Sequence, residues 1–134
     1  MLIVLLAVSS SSCGAPEEDL SKALEQTQAG VRTVQLGLDS LSRGRSSRAL
    51  VEVAASDAAD EVASAQRRAG EVRAPTAVDR AARARTLAAI DRSRTVVLDA
   101  ADVLAEGGDL EQVGAELSGA DAAVSGALSA LGAR

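Results

Sequence analysis

Apolar residues recur at every third or fourth position along most of the chain, a spacing that lays them along one side of an α-helix. From Pro16 to about Ser42 the stripe is Leu20, Leu24, Thr27, Val31, Val34, Leu38 and Leu41, at intervals of 4, 3, 4, 3, 4 and 3 residues. A mean period of about 3.5 keeps one seam turned toward a partner helix over its whole length. Pro16 suits a first helical position, where its missing N–H is not needed, and Glu17, Glu18 and Asp19 complement the positive end of the helix dipole. Gly44, set between Arg43 and Arg45 in the stretch Ser42 to Ser47, predicts the first turn.

A second helix is predicted from about Ser47 to Ala69, with Val51, Ala55, Ala58, Val62, Ala65 and Ala69 as its seam, Leu50 and Ala54 beside it, and Gly70 as its stop. Pro75 marks the second break, and Thr76 followed by Asp79 predicts a capping box. The third helix then runs from about Thr76 to Glu106 with a broad face of Ala82, Ala89, Ile90, Val97, Ala100, Ala101 and Leu104, and ends at Gly107-Gly108. Asp109 caps a fourth, whose seam is Leu110, Val113, Leu117, Ala120, Val124, Ala127 and Leu131. Its internal Gly114, Gly119 and Gly126 each weaken it by about 1 kcal/mol relative to alanine, so it must lean on tertiary contacts.

Four amphipathic helices with short breaks predict an all-α fold, an antiparallel up-down-up-down four-helix bundle built from residues 13–134. The competing arrangement is a long helical hairpin or coiled coil in which some breaks are kinks. Pro75 and Gly107-Gly108 interrupt strongly and favour the bundle. Of the 63 apolar residues 29 are alanine, so helices should form easily while the core they enclose is thin.

The chain has one Cys and no His, Phe, Tyr or Trp. That removes imidazole chemistry, His/Cys metal clusters, an internal disulfide and the aromatic walls of most ligand sites. Asp57 with Asp60 and Glu61, and Asp99 with Asp102, read as solvated faces, and Ser21 and Lys22 diverge on a helix. No catalytic residue, metal or cofactor is therefore expected, and the chain reads as a non-enzyme. A formal charge of −5, from 14 basic and 19 acidic residues, argues against nucleic acid as a partner. Arg83-Ala84-Arg85-Thr86 returns as Arg92-Ser93-Arg94-Thr95, but the nine-residue offset turns the copies to opposite sides, so the repeat is not read as a binding stripe.

The N-terminus is different in kind. Met1 to Val8 is an apolar run, far short of the roughly 20 residues of a membrane span, and it is followed by Ser9 to Ser12, Cys13 and Gly14. Small residues ahead of a single cysteine suit a signal peptidase and a thiol that accepts lipid; in this the chain resembles bacterial lipoproteins. It has Ser10 where such motifs usually carry Leu, and no Lys or Arg before Cys13. The resemblance implies a signal peptide over residues 1–12, lipid attachment at Cys13, and a lipid-anchored position on the extracytoplasmic face of the cell membrane. It leaves the role open: a structural or partner-binding envelope module, binding an unknown protein. The alternative is a cytoplasmic coiled-coil scaffold or regulator that keeps its first residues and docks through the seams of the first and fourth helices.

Around the second break, Arg67, Arg68, Arg73, Arg80, Arg83 and Arg85 face only Glu71 and Asp79. In an up-down bundle this break lies at the same end as Cys13, with Arg134 joining it, so these arginines are candidates for contact with an anionic membrane surface. The competing expectation is that Arg67 and Arg68 complement the dipole of the second helix while the others pair with Glu17, Glu18 and Asp19.

Overall fold

A computed structural model describes residues 15–134. The proposed signal segment and Cys13 lie outside the described residues. Four helices follow one another, α1 (Pro16–Ser42), α2 (Arg48–Glu71), α3 (Ala77–Glu106) and α4 (Leu110–Gly132), and no strand occurs among the described residues.

The helices run alternately up and down, as the cross-helix contacts show. Gly30 lies against Ala58 and Val62 while Gly37 lies against Val51; Gln66 donates to Asp91 while Arg48 donates to Leu104. Gln28 bonds Asp121 and Ser125, closing α4 against α1, and Arg134 reaches Asp79. α1 touches all three other helices, whereas α2 and α4 do not meet, so the cross-section is a rhombus with α1 and α3 across its short diagonal. This is the up-down-up-down bundle; Pro75 and Gly107-Gly108 mark true reversals and not the kinks of a long hairpin.

The local chemistry explains the boundaries. Ser47 accepts the Leu50 amide at 3.2 Å, and Asp109 accepts those of Glu111 and Gln112 at 2.9 and 3.3 Å, satisfying amides that have no partner within their helix. Thr76 and Asp79 form a reciprocal capping box. Gly107 ends α3 with a φ of 83°, a conformation that favours glycine.

Gly70 does not stop α2. The helix continues to Glu71 and is capped by Val72, because Val72 is buried among the core residues and its carbonyl accepts a bond from Arg83 at 2.9 Å.

The core divides into two clusters along the bundle. The one nearest the α1–α2 and α3–α4 turns includes Val31, Val34, Val51, Val97, Leu104, Val113 and Leu117; the other includes Leu20, Leu24, Val62, Ile90, Val124 and Leu131. Thr27 and Ser93, both fully buried, fall between them on α1 and α3 and return their hydroxyls to the carbonyls of Ala23 and Ala89. Leu38 and Leu41, placed on the α1 seam by spacing, are only partly buried at its end.

Candidate functional site at the N-terminal end

The start of α1, the end of α2, the start of α3 and the end of α4 meet at one end of the bundle. Here Asp79 carries the tightest polar cluster. Its Oδ2 accepts the Thr76 hydroxyl at 2.6 Å and its Oδ1 the Arg134 guanidinium at 2.6 Å, with both carboxylate and guanidinium mostly covered. Those two bonds, that from Thr76 first, hold the Asp79 carboxyl below its usual range. Arg134 thereby ties the last residue of the chain to the first turn of α3.

The six candidate arginines divide into three groups. Arg67, Arg68 and Arg73 are exposed and make neither ion pair nor side-chain hydrogen bond among the described residues. Arg80 and Arg83 are drawn onto the α2–α3 turn, donating to the carbonyls of Pro75 at 3.2 Å and Val72 at 2.9 Å. Arg85 lies further along α3, beside α4 and not around the turn.

None of the six pairs with Glu17, Glu18 or Asp19. Glu18 pairs instead with Lys22 at 2.9 Å, which lowers the one pKa and raises the other through a mutual hydrogen bond. The acidic first turn of α1 shares this end with the arginines, so the end is basic on its α2–α3 side and acidic at the α1 corner.

Arg85 belongs to a second feature, a groove of about 350 Å³ between α3 and α4. Its floor is Ala88, Ala123, Gly126 and Ala130, and Arg85 and Arg92 rise beside it. Arg92 lies across α4 where Gly119 has no side chain: a Cβ there would sit 2.9 Å from its Nη2. The two arginines belong to the two copies of the repeated motif, but they are seven residues apart, about 20° short of two whole turns, and share one side of α3. Comparing the copies at their nine-residue offset hides this pairing.

No helix among the described residues is long and apolar enough to cross a membrane, and no group of three or more His, Cys, Asp or Glu among them could hold a metal ion. The fold and surfaces define the chain as an antiparallel four-helix bundle with an arginine-bearing end and a small-residue groove. No protein-family model, curated protein or solved structure matches it.

Proposed function

We propose that the chain is an exported, lipid-anchored helical module of the bacterial envelope, held to the extracytoplasmic face of the membrane through Cys13 and serving a structural or partner-binding role. The observation that carries this reading is the apolar run Met1 to Val8 followed by four serines, Cys13 and Gly14. Supporting it, α1 begins at Pro16, so a tether on Cys13 would emerge at the end where Arg67, Arg68 and Arg73 are exposed. Basic side chains beside anionic head groups contribute about 1 kcal/mol each, and a single acyl signal anchors better with such help. Glu17, Glu18 and Asp19 offset part of that attraction, so the lipid is the anchor and the arginines set the tilt of the bundle.

Intact-mass measurement on membrane fractions tests the reading. The expected species begins at Cys13 and carries acyl chains, and Cys13→Ser moves the protein out of that fraction. Native protein recovered from the cytosol with residues 1–12 still attached would overturn the anchor and favour an intracellular scaffold.

A further inference from the structure

We propose that the groove between α3 and α4 receives the outer face of α2 from a second copy of this chain, giving a head-to-tail self-association. The groove offers two unpaired cations above a floor with no side chain larger than a methyl group, so a helix can approach it closely. What fits it is a helix with unpaired carboxylates and apolar side chains on one face.

The outer face of α2 is such a helix. Leu50, Val53, Asp57 and Asp60 follow one another at intervals of 3, 4 and 3 residues, the spacing of a second seam facing away from the core, and Ser64, four residues on, continues it with a small side chain. Leu50 and Val53 are 62% and 58% exposed, two of the four large apolar side chains more than half exposed among the described residues. Asp57 and Asp60 are exposed and make no ion pair. Because α2 does not touch α4, its outer face is free of the groove in its own molecule.

Association therefore sets Asp57 and Asp60 of one copy against Arg85 and Arg92 of the next, with Leu50 and Val53 over the alanine floor. The two surfaces differ, so the contact is heterologous and repeats from copy to copy until a ring closes or a short filament forms. It stands independently of the lipid on Cys13.

Sedimentation velocity of the full chain carrying Cys13→Ser, over a range of concentration and salt, tests this. The expected result is association that strengthens with concentration and weakens as salt screens the charge pairs. Arg85→Glu with Arg92→Glu, and separately Asp57→Arg with Asp60→Arg, are each expected to weaken it about tenfold or more. Mixing the two double variants should restore it, because each then presents the surface that the other lacks. All four positions are exposed, so unchanged helical circular dichroism is expected, and Val53→Ser supplies a variant with no charge change. A chain that stays monomeric up to about 1 mM overturns the proposal. So does association that survives both charge reversals, or a mixture of the reversed variants that fails to recover it.

Discussion

Arg48 has a role that its place in the sequence hides. It occupies the first position of α2, where a positive charge opposes the helix dipole, yet its guanidinium turns toward the end of α3. There it donates at 2.8 Å to the carbonyl of Leu104, which meets no backbone amide at the helix end, and at 3.2 Å to that of Val103, which also accepts the amides of Gly107 and Gly108. The interaction is a cap supplied by a neighbouring helix, and α3 has no basic residue of its own in its last turn. Arg48→Ala is expected to lower unfolding free energy by about 1–3 kcal/mol in urea denaturation, the cost of leaving the partly buried Leu104 carbonyl unmet. Arg48→Lys should recover only part, because one ammonium does not reproduce the fork. A stability loss no greater than that of an exposed Arg94→Ala control would refute this role.

Asp79 makes a pH prediction with a definite sign. Its carboxyl titrates below the ordinary 3.8 when folded, so the unfolded chain binds the proton more readily. The stabilisation is complete above the ordinary carboxylate range and is lost as pH falls through the depressed value. Asp79→Asn should therefore be less stable at neutral pH and show a shallower loss of stability below about pH 4. With no histidine in the chain, the urea midpoint of the parent should stay level between about pH 5.5 and 7. A midpoint that moves across that window would contradict the assignment.

At the scale of the helices, glycines have opposite meanings in α1 and α4. Gly30 is buried where α1 meets α2; a Cβ there would lie 3.2 Å from a Val62 methyl and 3.5 Å from the Ala58 carbonyl. The close approach of these two helices depends on that small size, and Gly30→Leu is expected to cost about 1–3 kcal/mol or more through overpacking. Gly114 in α4 has nothing within 4 Å of where its Cβ would stand. Gly114→Ala should thus stabilise the protein by about 0.5–1 kcal/mol, as the gain in helix propensity meets no steric opposition. Thermal melts of the two variants should shift in opposite directions.

The element boundaries were legible because capping residues, Pro75 and Gly107 act through local geometry. Gly70 was misleading: a glycine can end a helix, but where the chain leaves α2 is set by the burial of Val72. Gly30 was likewise absent from the seam read off the spacing, since hydrophobic periodicity counts side chains and this contact works through the lack of one.

For the whole molecule, the division of the core implies near-independence of its halves. Val34 lies in one cluster and Ile90 in the other, both fully buried. Ile90→Val should cost about 0.5–1.5 kcal/mol, and Val34→Ala roughly 1.6 kcal/mol for two methyl groups plus a cavity term. Combined, the two should add to within about 0.5 kcal/mol by urea denaturation. Strong coupling between them would mean that the clusters act as one packed unit through Thr27 and Ser93.

The candidate sites were only partly readable for the same reason at larger scale. The six arginines stand out in the sequence as a charge cluster, yet three-dimensional packing separates them: Arg80 and Arg83 cap the α2–α3 turn, Arg85 turns to the groove, and Arg67, Arg68 and Arg73 stay in solvent. The sequence by itself determined that the chain folds as four helices, where they reverse and which side of each is apolar, because periodicity, caps and breakers act over a few residues. Only the tertiary structure decided which helices touch, which carbonyls Arg48 and Arg83 reach, and that a groove opens between α3 and α4. Those outcomes depend on distances between residues far apart along the chain, which spacing within one helix does not encode.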